Sequence, residues 1–546
     1  MNLMNNAIVS TPKPVNEPIL NYAPGSPEKD ALKAALAELS SKQLDIPLII
    51  NGKEVRTGNI GKTVMPHDHG HVLATYHKAG PADVQQAIDA ALAAQDLWQS
   101  FRWEERCAIF LKAAELLAVK YRALINAGAM LAGGKTAYQA EIDAACELID
   151  FLRFNVRYAQ EIYQKQPESS PGVWNFVQHR PLEGFVFAVT PFNFTAIAGN
   201  LPTAPAIMGN TVVWKPASSL VYTPYLIMQI LEEAGLPPGV INFVPGSGGD
   251  VGDICLADPN LSGIHFTGST RVFQQMWKTI GENIGRYKAY PRIVGETGGK
   301  DFIFAHSSAE VKPLVTGLVR GAFEYQGQKC SAASRAYIPR SLWPAVEAEM
   351  KAQTARITMG PPTDFRNFFG AVIDRAAFDS ISGYIEYARE NEGGEIIIGG
   401  KYDDSVGYFI EPTVILATDP QFRTMVEEIF GPVLTIYVYE DDAYETTLEL
   451  CNTSSMYALT GAVFGRDRAA VSKALAALEH AAGNFYINDK PTGAVVGQQP
   501  FGGGRASGTN DKAGSQANLM RWVSIRTIKE TFVPPVDFSY PFMDKE

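Results

Sequence analysis

The sequence predicts an α/β protein with two sheet-containing domains, an N-terminal arm and a small β flap. Its 546 residues exceed what one ordinary hydrophobic core accommodates, so two or three domains are expected. Short, continuously apolar runs alternate with helical patterns in two successive series. This alternation is typical of parallel sheets that helices cover on both faces. Hydrophobic residues make up 46% and charged residues 19% of the chain, as in ordinary globular proteins.

The N-terminal part of the chain is predicted to be mainly helical after an irregular start. Residues 1–30 are rich in Pro and Asn and are expected to form an arm, followed by a short helix over 31–41. A strand that enters a turn is predicted over 47–53. From Pro81 to Phe154, apolar residues recur on one face at helical spacing, which predicts successive helices.

Two α/β series and a tail follow. The first series has predicted strands over 184–189, 211–215, 240–245, 263–268 and 293–294, and helices over 196–208 and 225–234. The second has predicted strands over 302–304, 335–338, 433–438 and 483–488, and helices over 311–325 and 343–354. Residues 173–180 and the tail from 507 are expected to form a strand-rich flap for oligomerisation.

Charge and cysteine usage exclude several classes of function. A net charge of −11 argues against nucleic-acid binding, because neutralising phosphates needs a basic face. The five cysteines are odd in number, far apart and free of CxxC pairs, so neither disulfides nor a metal site is predicted. This usage fits a reducing cytoplasm. Residues 1–21 show no signal peptide, and Pro and Asn interrupt the apolar stretch 184–208, so no membrane span is expected.

Three short segments contain the candidate reactive residues. Cys330 ends the run Glu-Tyr-Gln-Gly-Gln-Lys-Cys, and a thiol is the best side-chain nucleophile at neutral pH. Glu296 lies in Gly-Glu-Thr-Gly-Gly-Lys, where a carboxylate can deprotonate water. Asn193 lies in Thr-Pro-Phe-Asn-Phe, and its amide can donate to an oxyanion. In isolation, each residue also has a plainer explanation: an inert buried cysteine, a solvated loop carboxylate and a turn-forming asparagine.

These segments resemble those of the aldehyde dehydrogenase superfamily, and the resemblance spans roughly residues 46–530. It implies that Cys330 attacks an aldehyde, that Asn193 and the Cys330 N–H hold the alkoxide, and that Glu296 activates the water that cleaves the resulting thioester. It also implies a Rossmann-type nucleotide-binding domain, an α/β catalytic domain and a small β oligomerisation flap, and hence a homo-oligomer. The expected boundaries are 1–45 for the arm, 46–172 and 181–297 for the NAD-binding domain, 298–506 for the catalytic domain, and 173–180 with 507–546 for the flap.

The resemblance further implies a nicotinamide cofactor, NAD, with NADP not excluded because Ser218 stands where NAD-preferring members often carry Glu. The chain has no GxGxxG fingerprint, and Phe273 stands where many members have another glycine. Gly268 and Ser269 would open a helix whose N-terminus faces a phosphate, although an ordinary strand-to-helix turn explains them equally well. The expected cofactor contacts are Thr190, Lys215, Gly268, Ser269, Thr270, Glu428 and Phe430.

The loop Lys-Pro-Thr-Gly-Ala-Val-Val-Gly over 490–497, with the Gln-Gln-Pro-Phe-Gly-Gly-Gly that follows, resembles the carboxylate-binding loop of pyrroline-5-carboxylate dehydrogenases. That branch oxidises L-glutamate γ-semialdehyde to L-glutamate in proline degradation. The backbone N–H groups of Gly493 and Ala494 would form a nest for the α-carboxylate. The expected substrate contacts are Ser331, Gly493, Ala494, Phe501, Lys329 and Glu141. Glu141 is expected to approach Lys329, or else to be a solvated helix residue.

Other functions remain open at this point. One is a different enzyme of the superfamily, either a CoA-dependent semialdehyde dehydrogenase, which a water-activating Glu296 disfavours, or a broad-range aldehyde oxidiser. Another is a non-catalytic protein on the same fold, which would not need all three reactive residues. A third is a bifunctional proline-oxidising enzyme, which is disfavoured because 546 residues do not accommodate a proline dehydrogenase barrel as well. The expected partners are a small-molecule aldehyde and further copies of the chain, with no nucleic acid and no membrane.

Overall fold

Two seven-stranded sheets form the framework of the computed structural model, which describes residues 8–545. The α-helices are α1 (Pro27–Ser40), α2 (Pro81–Ser100), α3 (Trp103–Leu116), α4 (Arg122–Gly133), α5 (Ala137–Ala140), α6 (Leu148–Gln164), α7 (Thr195–Ile207), α8 (Tyr222–Ala234), α9 (Gly248–Ala257), α10 (Thr270–Glu282), α11 (Val311–Phe323), α12 (Trp343–Thr354), α13 (Arg375–Glu390), α14 (Arg423–Val426), α15 (Tyr444–Thr453), α16 (Arg468–Ala477) and α17 (Gln516–Met520). Short π-helical segments cover Leu117–Tyr121 and Glu141–Glu147, and 3-10 segments cover Ile284–Arg286, Glu324–Gly327, Asp441–Ala443 and Pro541–Met543.

The strands range from two residues in β15 to ten in β5. They are β1 (Leu44–Ile46), β2 (Leu48–Ile50), β3 (Lys53–Val55), β4 (Ile60–Met65), β5 (Asp68–His77), β6 (Val173–Pro181), β7 (Phe185–Val189), β8 (Thr211–Lys215), β9 (Ile241–Phe243), β10 (Leu261–Thr267), β11 (Arg292–Glu296), β12 (Asp301–Ala305), β13 (Ala333–Pro339), β14 (Gly394–Ile398), β15 (Tyr402–Asp403), β16 (Phe409–Ile410), β17 (Thr413–Ala417), β18 (Val433–Tyr439), β19 (Tyr457–Ala458), β20 (Thr460–Phe464), β21 (Asn484–Ile487), β22 (Gly504–Arg505) and β23 (Val523–Thr531).

The first sheet has the order β11-β10-β7-β8-β9-β2-β3. Its strands from β11 to β9 are parallel, and β2 and β3 add an antiparallel edge. Successive side chains of β7 lie in different hydrophobic clusters: Val186 and Ala188 belong to one, Phe185 and Phe187 to the other. Both faces of the sheet are therefore buried, which explains why the strand sequences are continuously apolar rather than alternating.

The second sheet has the order β14-β17-β18-β13-β12-β20-β21 and is parallel except for β14. In β12, Phe302 and Phe304 face one cluster while Ile303 and Ala305 face the other. The predicted α/β class with two parallel sheets is thereby confirmed. Since parallel strands end at one edge, the first sheet presents Thr190, Lys215 and Glu296 together, at or just after the carboxyl ends of β7, β8 and β11.

The segments predicted to form the flap contain two paired strands. β6 and β23 are antiparallel from Val173–Thr531 to Pro181–Val523. The tail also contains the short helix α17, which the sequence did not predict. No helix within residues 8–545 is long and apolar enough to cross a membrane.

Candidate active site

A cavity of about 350 Å³ brings together residues of distant segments. The sequence-predicted residues that line it are Glu296, Lys329, Cys330, Ser331, Gly493, Ala494 and Phe501. Residues that the sequence did not single out also line it, among them Asn16 and Glu17 of the N-terminal arm, Glu147, Glu324, Lys490 and Thr492. Asn193 is not among the lining residues, although its neighbour Phe194 is.

A strained turn positions Cys330. Tyr325 and Gln326 have φ angles of 53° and 54°, in the left-handed region that residues other than glycine seldom adopt. Hydrogen bonds hold this conformation: Tyr325 Oη donates to the Gly133 carbonyl at 2.9 Å, and Gln326 Nε2 donates to the Gly134 carbonyl at 2.9 Å. Such strain persists only where surrounding contacts enforce it, and it is typical of functional sites.

The surroundings of Cys330 favour the neutral thiol. The residue is only 9% exposed, and burial raises the pKa of its thiol well above the usual value, with the carboxylates of Asp301 and Glu296 adding to the effect. Lys329 does not offset these charges, because its Nζ pairs with Glu324 Oε2 at 3.1 Å. A thiolate at this position is therefore less stabilised by its surroundings than it would be in water.

Glu296 is the last residue of β11, and its carboxylate is fixed by the glycine-rich segment that crosses it. Its Oε2 accepts a hydrogen bond from Gly503 N at 3.0 Å. A Cβ on Gly508, which has a φ of 151°, would lie 2.9 Å from the same oxygen, so only glycine fits there. Burial raises the pKa of Glu296 well above its ordinary value. A carboxyl group with a raised pKa can both take and return a proton near neutral pH.

Asn193 contacts the backbone of the nucleophile segment. Its Nδ2 donates to the Gln328 carbonyl at 3.1 Å, and the residue is 3% exposed. An amide nitrogen carries two hydrogens, so one donor remains after this bond. The structure thus places a spare amide donor beside the segment that leads into Cys330.

Lys215 is a buried ammonium group with spare donors. It is 7% exposed, its Nζ donates to the Pro216 carbonyl at 3.1 Å, and within the described part of the chain it has no carboxylate partner. Burial lowers its pKa to about 8. Beside it, Thr190 N donates to the Lys215 carbonyl at 3.1 Å and Thr190 Oγ1 accepts from Trp214 Nε1 at 3.0 Å. A hydroxyl-bearing ligand such as a ribose fits this arrangement.

The turn before α10 leaves a free helix N-terminus. Ser269 is the extended N-cap residue, and its side chain makes no capping bond. Thr270 Oγ1, by contrast, is already bonded to Thr297 Oγ1 at 3.1 Å. Phe273 stacks on Phe266 with ring centroids 5.2 Å apart, and a Cβ on Gly295 would lie 2.3 Å from the Phe273 ring. Phe273 therefore packs against this glycine of the Glu296 segment.

Glu428 and Phe430 lie next to the catalytic segments. Glu428 Oε1 accepts from Gly299 N at 2.9 Å, and burial raises the pKa of this carboxyl to about 7. A Cβ on Gly298 would lie 2.1 Å from Glu428 Oε2, so this close approach requires glycine. The Phe430 ring meets the edge of Phe192, next to Asn193, with centroids 5.9 Å apart. Lys215, Ser269, Glu428 and Phe430 are the groups that the resemblance assigns to the cofactor.

The loop over 490–497 has unpaired backbone donors where it lines the cavity. Among the described residues, neither Gly493 N–H nor Ala494 N–H has a protein acceptor. Gly493 has a φ of 97°, and Lys490 Nζ holds the loop by donating to the Thr492 carbonyl at 3.0 Å. Ser331 Oγ donates to Thr492 Oγ1 at 2.8 Å. Free N–H groups beside a lysine fit a carboxylate.

The predicted approach of Glu141 to Lys329 is wrong. Glu141 lies outside the cavity lining, and its carboxylate accepts from Tyr22 Oη at 2.6 Å and pairs with Arg122. Glu147, further along the same π-helical segment, lines the cavity instead. Burial raises the pKa of its carboxyl well above normal, and the charges of Lys135 and Lys329 oppose that shift. Both acids lie in one π-helical segment, and no sequence signal distinguished them.

Comparison with known proteins places these features in context. The model of the aldehyde dehydrogenase family matches residues 55–528. The mitochondrial delta-1-pyrroline-5-carboxylate dehydrogenase of Dictyostelium discoideum is 56% identical over 98% of this chain and 97% of that protein. The human mitochondrial protein of the same name is 50% identical over 98% of this chain and 95% of its own. The crystal structure of the Mycobacterium tuberculosis delta-pyrroline-5-carboxylate dehydrogenase bound with NAD has a TM-score of 0.96 and 54% identity, covering 99% of this chain and 100% of that chain.

Proposed function

The chain belongs to the aldehyde dehydrogenase family, and from this we propose that it oxidises L-glutamate γ-semialdehyde, in equilibrium with Δ1-pyrroline-5-carboxylate, to L-glutamate with NAD. The reaction is the second step of proline degradation. One observation carries the proposal: Cys330 and Glu296 line the same cavity as the free N–H groups of Gly493 and Ala494. A nucleophile, a base and an anion site are thus available to one small aldehyde.

In the first half of the reaction, the Cys330 thiol releases its proton to solvent water and the resulting thiolate attacks the aldehyde carbon. A carbon–sulfur bond forms, and the carbonyl oxygen becomes an alkoxide. The spare amide hydrogen of Asn193 and the backbone N–H of Cys330 donate to this oxygen. Each such donor contributes about 3 kcal/mol to the stabilisation of the transition state.

The residues expected to contact the cofactor would hold NAD in the site. Lys215 would donate to the adenine ribose and Glu428 would accept from the nicotinamide ribose, while Phe430 would pack against that ribose. When bound, NAD supplies the acceptor for the hydride. Oxidation of the adduct leaves a thioester on Cys330.

In the second half of the reaction, Glu296 takes a proton from the water that attacks the thioester. The bond from Gly503 N–H holds one carboxylate oxygen in place, so that the other is free to act as the base. Glutamate leaves and the Cys330 thiol is restored. This hydrolytic step distinguishes the enzyme from a CoA-dependent transferase.

The choice of substrate follows from the anion site. The N–H groups of Gly493 and Ala494 would bind the α-carboxylate, and Phe501 would pack on the methylene chain. Ser331 would add a hydroxyl donor by exchanging its bond to Thr492 Oγ1 for one to the substrate. A broad-range aldehyde oxidiser would have no use for these donors. Ser218 donates to the Gly246 carbonyl at 3.1 Å and brings no carboxylate to the cofactor, so NADP is not strictly rejected.

The test is a substrate panel with both cofactors. NADH formation is followed at 340 nm with glutamate semialdehyde, succinic semialdehyde and propanal, with Cys330→Ala as the inactive control. We expect kcat/KM for glutamate semialdehyde to exceed that for propanal by orders of magnitude. Equal values for the two aldehydes would reject the proposed substrate, and normal turnover by Cys330→Ala would reject the mechanism.

We further propose that the protein works as a dimer or a higher homo-oligomer. The paired strands β6 and β23 continue into a C-terminal segment in which Phe532, Val533, Phe538 and Phe542 are more than half exposed. A monomer seldom leaves so many apolar side chains in water. Light scattering on the intact chain, compared with a variant lacking residues 532–546, measures this: a monomeric intact chain would contradict it.

A cytoplasmic location stays a prediction that rests on five unpaired cysteines. These cysteines indicate a reducing compartment. The relatives from Dictyostelium discoideum and human are named mitochondrial. Fractionation of the cells that make this protein would decide between the two compartments.

A further inference from the structure

Lys135 is a buried cation that the proposed mechanism does not use. It follows α4 and the left-handed Gly134, and it is 1% exposed. Removing an ammonium group from water is costly unless charges and dipoles compensate it. The groups that contact Lys135 therefore indicate which parts of the structure its charge stabilises.

Two aromatic rings enclose the ammonium group of Lys135. Its Nζ lies 4.4 Å from the centroid of Phe194 and 4.1 Å from that of Tyr325. Both distances are within the range of cation–π attraction. Phe194 directly follows Asn193, and Tyr325 begins the strained turn that leads to Cys330. One cation thus contacts both catalytic segments.

Asp143 completes the link on the Asn193 side. Lys135 Nζ lies 2.9 Å from Asp143 Oδ2. The two oxygens of Asp143 accept from Thr195 N at 3.0 Å and from Ala196 N at 2.9 Å, in the first turn of α7. The carboxylate therefore fixes the start of the helix immediately after Asn193.

The backbone around Lys135 completes the link on the Cys330 side. The carbonyls of Gly133 and Gly134 accept the bonds from Tyr325 and Gln326 that hold the strained turn. By comparison, the direct contact between the two catalytic segments is the single bond from Asn193 to the Gln328 carbonyl. One neutral hydrogen bond contributes only about 1 kcal/mol, too little to fix two loops on its own.

We propose that Lys135, paired with Asp143, is a positioning residue that sets the placement of the Asn193 amide relative to the Cys330 thiol. The inference rests on the proposed oxyanion role of Asn193. A displacement of about 1 Å at a reacting centre can cost roughly 100-fold in rate. Loss of the Lys135 charge should therefore slow the chemical step without changing the affinity for either ligand.

The test compares Lys135→Met, Lys135→Arg and the surface control Lys120→Met in single-turnover experiments with glutamate semialdehyde and NAD. We expect Lys135→Met to lower the rate of the NADH burst by about 100-fold. The KM for the aldehyde and the Kd for NAD should stay near the wild-type values. Lys135→Arg should recover part of the rate because it retains the charge, and Lys120→Met should behave as wild type.

A double-mutant cycle with Asn193→Ala distinguishes positioning from general support of the fold. If Lys135 acts through Asn193, adding Lys135→Met to Asn193→Ala should slow the burst little further. Multiplicative losses would overturn the proposal, and so would an unchanged burst in Lys135→Met.

A second variant addresses the possibility that Lys135→Met leaves Asp143 as an unpaired buried charge and does not fold. If Lys135→Met does not fold, the cycle is run with Lys135→Met/Asp143→Asn, which leaves no unpaired buried charge. Wild-type enzyme that forms no NADH from glutamate semialdehyde would instead reject the proposed function, so the two failures are distinguishable.

Discussion

Replacing Glu296 by Gln should separate the two halves of the proposed reaction. Gln has nearly the volume of Glu, and its Oε1 can still accept the bond from Gly503 N–H, which lies 3.0 Å from the native oxygen. The fold around the site should therefore be preserved. What the variant loses is the ability to take a proton from water. Attack by Cys330 and formation of the thioester do not need that ability.

The size of the effect follows from the role of the carboxylate. A positioned general base contributes about 10²- to 10⁴-fold to a rate. At about 1.4 kcal/mol per factor of ten, that is roughly 3–5 kcal/mol of transition-state stabilisation. Steady-state turnover of Glu296→Gln should fall by this factor. The first turnover should still release about one NADH per active site.

Stopped-flow absorbance at 340 nm measures both quantities in one trace, and mass spectrometry of the quenched enzyme should find the acyl group on Cys330. Glu183→Gln is the matched control, since Glu183 lies exposed in the turn before β7 and should behave as wild type. Wild-type turnover by Glu296→Gln would refute the base assignment. Loss of the burst itself would show that Glu296 acts before the thioester forms.

Three further changes test other parts of the site. Lys215→Met removes the buried ammonium group. Since a hydrogen bond to a charged group contributes about 1.5–3 kcal/mol, the Kd for NAD in a fluorescence titration should rise about 10- to 100-fold. An unchanged Kd would exclude contact between Lys215 and the cofactor. Gly493→Ala puts a side chain at a φ of 97° and places its Cβ 3.0 Å from Lys490 Nζ, which costs about 1–2 kcal/mol. The KM for glutamate semialdehyde should therefore rise about tenfold, while the KM for propanal should not change. Burial lowers the pKa of His265 from its ordinary value of 6.5 to about 4. The unfolded chain therefore binds a proton at His265 below pH 6.5, whereas the folded protein binds it only below about pH 4. The free energy of unfolding should fall by up to about 3 kcal/mol as the pH is lowered from 6.5 to 4. Urea midpoints at pH 7 and pH 5 should differ less for His265→Asn than for wild type; equal differences would contradict the assignment.

The sequence predicted those helices and strands whose own apolar spacing matches the structure they adopt. The helix predicted over 343–354 is α12, and the strand predicted over 211–215 is β8. The pair β4 and β5 was not predicted, because β5 begins with the polar residues Asp-His-Gly-His and depends on pairing with both β1 and β4. The helix α9 was missed because it begins with two glycines, which weaken the helical signal, and relies on the Ser247 cap for its start. No helix or strand was predicted between 354 and 433, although Glu428 and Phe430 were singled out there; the structure has α13, β14, β15, β16, β17 and α14 in this range.

The sequence predicted those residues of the candidate site that lie within short motifs resembling a known family. Cys330 and Glu296 were found in this way, whereas the part of the site formed by the arm was not. Asn16 lines the cavity because its Nδ2 donates to Asp150 Oδ2 and to the Val496 carbonyl, both at 2.8 Å. An irregular segment has no periodicity that shows which surface it covers. Long-range contacts of this kind decide the position of the arm, and they cannot be read from one sequence.

The electrostatics of the cavity explain why a reactive cysteine can persist in the resting protein. Burial and nearby carboxylates, including Glu296 and Glu428, raise the pKa of the Cys330 thiol. Oxidation and alkylation act on thiolates, so a neutral thiol is protected from both. The same carboxylates serve other steps in the proposed reaction, since Glu296 activates water and Glu428 holds the cofactor. Burial of the site therefore has two consequences: it brings the thiol into one cavity with the acid that the proposed reaction uses, and it favours the neutral, less reactive form of that thiol.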